Sequence, residues 1–285
     1  MEGRMVRSAE EVQTAGTLHI VSTPIGNMAD LSARAVETLR AVSAVLAEDT
    51  RHSRPLLERH GIATPLVAHH EHNEAKTTPL LVGRLAAGES FALISDAGTP
   101  LLSDPGARLV RAAIDAGIAV SPVPGASALL AALVASGLSA DRFTFFGFLA
   151  RKGRERTAAI AEIAALTHTA VVYEAPARVG DTLGALADAG AGERQAAVAR
   201  ELTKQFEEFR RGTVRSLAES YQEAPPRGEV VLVVAGASAA EPDEAQLRGR
   251  ARDLRAQGLS AREVARVLTE ESHAPRNLAY RLAHE

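Results

Sequence analysis

The 285-residue chain carries 32 Lys and Arg against 35 Asp and Glu, a formal net charge of −3, with 46% hydrophobic residues and no cysteine. Average apolar content and low net charge exclude a disordered or collagen-like chain, and the length accommodates one large or two compact domains. The missing cysteine removes disulfide scaffolds, thiolate zinc, iron–sulfur ligation and a cysteine nucleophile together, and fits a reducing, cytoplasmic setting.

Residues 1–16 mix Glu2, Arg4, Arg7, Glu10 and Glu11 with small residues, lack the apolar stretch of a secretory signal, and read as a flexible leader. Residues 18–21 form the first expected strand. Asp30 then caps a helix whose apolar residues Ala35, Val36, Leu39 and Val42 recur every three or four positions. Strands at 44–46 and 91–94, a helix at 107–116 and a strand at 118–120 continue the alternation of an α/β domain with a largely parallel sheet. Residues 116–140 carry no charge, but Gly117, Pro122, Pro124, Gly125 and Gly137 break the run. It is too short and too interrupted to span a bilayer, so a buried strand, turn and helix is expected, and no membrane partner.

A second α/β unit opens near Arg142, where Phe143, Phe145, Phe146 and Phe148 hold four of the seven phenylalanines; inter-domain packing is expected of them rather than base stacking. Strands at 169–173, 195–199 and 229–235 alternate with helices at 157–166, 179–187 and 216–222. This sets an N-terminal domain at 17–140 and a second at 141–238, with a linker to residue 245. Residues 246–285 then read as two or three short helices, a helix-turn-helix silhouette whose plain alternative is a helical cap on the second domain. Charge divides the same way: residues 245–285 hold eight Arg against five acidic residues, while residues 1–244 hold 24 basic and 30 acidic residues. In that tail Arg276 and Arg281 face away from the apolar stripe of the last helix.

Three strand-to-loop junctions carry the chemistry: 22–27, 95–106 and 122–127. Ligands of open α/β sheets bind outside the carboxyl ends of strands, where small residues let backbone approach. Neither the Walker nor the Gly-x-Gly-x-x-Gly fingerprint is present, and the second loop holds Asp96 and Asp104 with no cationic residue before Arg108. Acidic side chains and turn carbonyls suit a cationic or neutral polar ligand better than a polyphosphate. His69, His70, His72, Glu71 and Glu74 lack the His-Glu-x-x-His spacing, so a polar loop lining a cleft is expected there and no metal. Ser22, Ser95 and Ser127 lack the Gly-x-Ser-x-Gly elbow of a serine hydrolase.

Taken in order, Thr23-Pro24-Ile25-Gly26-Asn27, Glu48-Asp49-Thr50-Arg51, His70-Glu71-His72-Asn73-Glu74, the 95–105 loop, Asp141-Arg142-Phe143 with Gly147-Phe148-Leu149, Tyr173-Glu174 with Arg178, the 199–204 segment and Arg227-Gly228-Glu229 resemble the tetrapyrrole methylase superfamily. Within it the chain is most similar to the small-subunit (16S) ribosomal RNA (cytidine-2′-O)-methyltransferase branch, over residues 17–283. The branch usually has Pro after Gly-Phe-Leu and Lys before the late Gly-Glu, where this chain has Ala150 and Arg227.

The resemblance implies a two-lobed α/β fold with an S-adenosylmethionine cleft between lobes, a C-terminal helix-turn-helix-like RNA-docking segment, a homodimer, and ribosomal RNA or the small subunit as partner. It implies cofactor contacts at Pro24, Ser95, Asp96, Ala97, Gly98, Thr99, Ser103, Ser127, Tyr173 and Ala199, and substrate contacts at His70, Asn73, Glu174, Arg178, Arg200 and Arg276. A ribose hydroxyl is a weak nucleophile, so in-line positioning and a proton acceptor are required. Lys204 with a depressed pKa, oriented by Glu201, and Arg51 are the expected catalytic groups. The other readings are methylation of a tetrapyrrole precursor, which the core loops serve equally, and a non-catalytic ribosome-binding factor.

Overall fold

A computed structural model describes residues 15–237, 244–272 and 274–285. Residues 1–14 of the expected leader and 238–243 of the expected linker lie outside the described residues.

The first sheet takes its strands from β1 (Thr17–Val21), β2 (Ala44–Ala47), β3 (Leu66–Ala68), β4 (Phe91–Ile94) and β5 (Ala119–Val123), in the order β3-β2-β4-β1-β5 with every pairing parallel. Strands buried on both faces read as continuous apolar runs, and β4 is one. Its Phe91 and Leu93 pack with Leu81 and Leu85 of α3 (Glu71–Ala86) and Leu109 of α4 (Ala107–Asp115). Its Ala92 and Ile94 face Leu39 of α1 (Ala33–Ala41) and Leu56 of α2 (Thr50–Arg59). Helices on both faces leave the carboxyl ends of the strands as the open edge.

Two local expectations change. Ser32, not Asp30, caps α1, its hydroxyl accepting the Ala35 N–H at 3.1 Å while Asp30 sits in a preceding 3-10 turn. The segment read as a polar loop at 69–74 instead starts α3. Asn73 Oδ1 accepts the His70 N–H at 2.9 Å and its amide donates to Ala68 O at 2.9 Å, while Glu71 and Glu74 sit in the first turn, where the helix dipole favours acids.

The second sheet comprises β6 (Phe143–Phe148), β7 (Thr169–Glu174), β8 (Gln195–Arg200), β9 (Glu208–Thr213) and β10 (Val230–Val234) in the order β6-β7-β10-β8-β9. Only β6 and β7 run parallel. The run Val230 to Val234 alternates between two cores: Val230, Leu232 and Val234 meet α6 (Arg154–Ala165), α7 (Val179–Leu186) and α8 (Val214–Glu223), and Val231 and Val233 meet α5 (Ala128–Ser136). Helix α5 thus covers the second sheet although it follows the last strand of the first. Its Leu129 and Leu133 share a core with Ile25 from the first unit and Leu202 from the second.

The four phenylalanines of β6 separate. Phe145 and Phe146 pack against opposite cores, whereas Phe143 is 37% and Phe148 61% exposed. A register shift between Phe145 and Phe148 turns the end of the strand outward. In the tail, α9 (Glu244–Ala256), α10 (Ala261–Ser272) and α11 (Arg276–His284) close around their own core, which includes Leu247, Leu254, Val264, Leu268 and Leu282. Among the described residues no helix is long and apolar enough to cross a membrane.

Candidate active site

The three loops named from the sequence meet above the first sheet. Thr23 and Gly98 exchange backbone hydrogen bonds of 2.8 and 3.1 Å, Ser22 Oγ lies 2.9 Å from Thr99 Oγ1, and Thr99 Oγ1 donates to Ala126 O at 3.1 Å. Opposite them, the turn after β8 closes onto the first loop. A Cβ added at Gly26 would lie 2.4 Å from Lys204 Cγ and 2.9 Å from Thr203 Oγ1, so only glycine fits there, and Asn27 N–H donates to Thr203 Oγ1 at 3.1 Å.

Backbone strain concentrates in the 95–106 loop and in the turn after β8. Among the described residues the non-glycine positions with positive φ are Leu101 (74°), Ser103 (76°), Glu201 (50°) and Thr203 (65°). Such conformations cost of order 1–3 kcal/mol each and persist where surrounding contacts over-determine them, as at ligand sites.

Between the loops lies a cavity of about 330 Å³, bounded by Asp96, Ala97, Gly98, Thr99, Ser103 and Asp104 on one side and by Phe148, Tyr173, Leu202, Gly228 and Glu229 on the other. A second cavity, about 210 Å³, adjoins it and is lined by Pro24, Gly26, His52, Ser95 and Lys204. Ile25, Asp96, Ala97 and Glu229 border both.

The first cavity has an acidic wall. Burial, with Glu48 and Asp96 adding repulsion against a Ser95 hydrogen bond, pushes Asp104 up to about 6. Glu48 is raised likewise, by burial first and Asp96 second. Tyr173 is raised by burial, its hydroxyl accepting the Leu129 N–H at 3.2 Å, and its ring stands edge-on to Phe145 and Phe148.

Lys204 departs from the expectation of a depressed pKa. Partial burial does pull it down, but Lys204 Nζ donates to Glu201 Oε1 at 3.0 Å and to Glu229 Oε2 at 3.1 Å, and together these contacts raise it above the ordinary lysine value. Glu201 is correspondingly lowered, first by Lys204 and then by the Glu229 N–H. A protonated lysine between two carboxylates holds no lone pair for a proton, so Lys204 is corrected from base to cation.

The remaining expected residues distribute as follows. Pro24, Ser95, Asp96, Ala97, Gly98, Thr99, Ser103 and Tyr173 line one or both cavities. Ser127 instead caps α5 through the Leu130 N–H, and Ala199 is fully buried within β8. Arg51 is 90% exposed and paired with Asp49, whose carboxyl it holds down at about 2. Asn73 is spent on starting α3 and His70 sits at its cap. Glu174 lines the cavity, yet its carboxylate is buried beneath, 2.6 Å from Thr182 Oγ1 and 3.2 Å from Nε of Arg178, whose side chain stays 22% exposed. Arg200 pairs with Glu208. Arg276 lies in the tail, beside a groove lined by Arg262, Arg266 and Tyr280. Among the described residues no group of three or more His, Cys, Asp or Glu is arranged to hold a metal ion.

Comparison with known proteins follows this geometry. A family model of tetrapyrrole (corrin/porphyrin) methylases matches residues 17–218, most of both sheets and every loop of the cleft except the Gly228–Glu229 turn. The chain belongs to the tetrapyrrole methylase family. Relatives in Synechocystis sp., 46% identical over 95% of this chain and 98% of theirs, and in Mesorhizobium japonicum, 53% identical over 80% and 77%, are both named ribosomal RNA small subunit methyltransferase I. A crystal structure of uroporphyrin-III C-methyltransferase from Thermus thermophilus complexed with S-adenosylhomocysteine is 19% identical, with a TM-score of 0.56 over 77% of this chain and 97% of that one, a likeness of fold. In this methylase, sequence reasoning missed His52 as a cavity residue, quoted Phe148 and Leu202 only within motifs, and named Asp104 as part of an acidic loop but not among the cofactor contacts. It quoted Glu229 only within a motif. The signal for Glu229 was its place after Gly228 at the start of the last strand.

Proposed function

We propose that the chain transfers the methyl group of S-adenosylmethionine to the 2′-hydroxyl of a cytidine in small-subunit ribosomal RNA. The observation that carries the cofactor assignment is the first cavity, in which an acidic wall of Asp96 and Asp104 stands opposite apolar Phe148 and Leu202. Its size falls at the lower end of small-molecule sites, and its wall suits a positively charged sulfonium flanked by apolar groups. The 96–103 loop, largely backbone, holds the methionine part, with Tyr173 beside it. The cofactor supplies an already activated methyl group; the protein supplies orientation, a dry wall and a place for the proton.

RNA as substrate is supported by the relatives' printed names and by the arginine-bearing tail, whose groove holds Arg262, Arg276 and the half-exposed Tyr280 beside Glu263 and an Arg266–Glu270 pair. Arginines of this kind contact phosphates and a neighbouring aromatic stacks on bases. The setting is cytoplasmic and the working form a homodimer, as for the family the sequence resembles. The family description favours a second reading, methylation of a tetrapyrrole precursor. Incubation with labelled S-adenosylmethionine, under-methylated small subunits and a tetrapyrrole precursor decides: label in the RNA supports this reading, and label only in the tetrapyrrole precursor overturns it.

A further inference from the structure

The groups at the border of the two cavities form a closed ring. Glu201 Oε1 accepts from Lys204 Nζ and also, at 3.1 Å, from the backbone N–H of Glu229. Lys204 Nζ donates in turn to Glu229 Oε2, and the Glu201 N–H donates to the Glu229 carbonyl at 3.0 Å. Gly228 makes the ring possible: its φ is +85° and a Cβ there would lie 2.2 Å from Glu201 Oε1. Glu201 and Thr203 hold positive φ to complete it. The three charged groups differ in access. Glu201 and Lys204 are 20% and 28% exposed in their side chains, while Glu229 is 74% exposed. A ring that fixes one accessible carboxylate through two less accessible charges positions that carboxylate.

We propose that Glu229 accepts the proton of the ribose hydroxyl and that Lys204 is its positioning residue; the inference rests on the reading of the cleft as a 2′-O-methyltransferase. As the hydroxyl oxygen forms its bond to the methyl carbon, the bond from that carbon to sulfur breaks with its electron pair left on sulfur. The hydroxyl proton passes to a Glu229 oxygen. Charge balances, since a cationic sulfonium and a carboxylate become a neutral thioether and a neutral carboxyl. Two neighbours compete for this role. Asp96 also borders both cavities, but its Oδ1 accepts the Asp49 N–H at 3.3 Å. His52 lines only the second cavity. Only Glu229 combines a place at the border with a partner that orients it and an exposed carboxyl.

The test is Glu229→Gln, which keeps an acceptor for Lys204 and removes the basic oxygen. In single turnover with small subunits its methylation rate falls by about a hundredfold or more, the usual contribution of a proton acceptor. Its affinities for S-adenosylmethionine and for RNA stay within about threefold of the parent. A second readout needs no cofactor. The chain has three lysines, Lys76, Lys152 and Lys204, so the Lys204 Nζ resonance is assignable by 15N NMR, and it titrates at lower pH in Glu229→Gln than in the parent. Lys204→Arg, which retains a cation for the carboxylate, keeps more of the rate than Lys204→Met. A smaller loss of rate, a matching loss of RNA affinity or an unmoved Lys204 titration overturns the proposal. Failure of the parent protein to methylate a 2′-hydroxyl is the separate outcome that sinks the reading of the cleft itself.

Discussion

The loop after β4 and the turn after β8 line one cavity and both carry strained backbone, yet they hold their shape by different means. The first, residues 95–106, is laced by backbone and hydroxyl hydrogen bonds to the two loops beside it, and its charged side chains, Asp96 and Asp104, line the cavity. The second, together with Gly228 and Glu229, is held by side-chain charge in the ring of Glu201, Lys204 and Glu229, with the buried Glu174 cluster under the cavity floor. A backbone-laced wall keeps its form when a side chain changes, whereas in a wall that uses ion pairs the placing of each charged side chain depends on its partners.

The largest effect is expected beneath the second wall. Glu174→Ala leaves Arg178 and Thr182 without their buried partner, and breaking a buried pair costs about 3–5 kcal/mol, read by urea denaturation. Gly228→Ala comes next. Its Cβ displaces the Glu201 carboxylate and its positive φ costs about 1–2 kcal/mol, so methyl transfer drops roughly a hundredfold while cofactor binding holds, measured by single turnover and calorimetry. Retained activity would show that the ring is not needed.

The first wall is tested by charge. Asp104 is held at about 6, above the value of 3.8 for an unperturbed Asp, so the free protein loses stability as pH rises from about 4 to about 6 and levels off once the buried carboxyl ionises beside Glu48 and Asp96. Ionisation favours a cationic ligand, so affinity for S-adenosylmethionine rises through the same pH while that for S-adenosylhomocysteine, whose sulfur is neutral, changes less. Asp104→Asn flattens both trends by severalfold, measured by calorimetric titration between pH 5 and 8. The smallest effect on the cleft is expected from deleting residues 244–285. Because the tail has its own core, cofactor affinity stays unchanged while RNA affinity and its salt dependence fall by roughly tenfold and by a shallower slope, respectively.

How much of this was legible in the sequence varies with distance along the chain. Strands such as Phe-Ala-Leu-Ile at 91–94 declare themselves because both faces are buried. Helices α2 and α3 do not, since Pro55 and Pro79 lie inside them and α3 begins on a run of polar residues. Edge strand β9 is hidden by Arg210 and Arg211, which its exposed position tolerates. The 95–106 loop was readable as Gly, Asp and Thr after a strand. The ring was not, because Lys204 meets Glu229 across 25 residues, and its contacts with Glu201 and Glu229 together reverse the direction of its pKa.

On this reading the cleft methylates a ribose hydroxyl of the small subunit. Mass spectrometric mapping of small-subunit RNA after incubation with the protein and S-adenosylmethionine tests it most directly. One 2′-O-methylcytidine, strongly diminished with Glu229→Gln, is the predicted result; RNA left unmodified, or modified on a base, contradicts it.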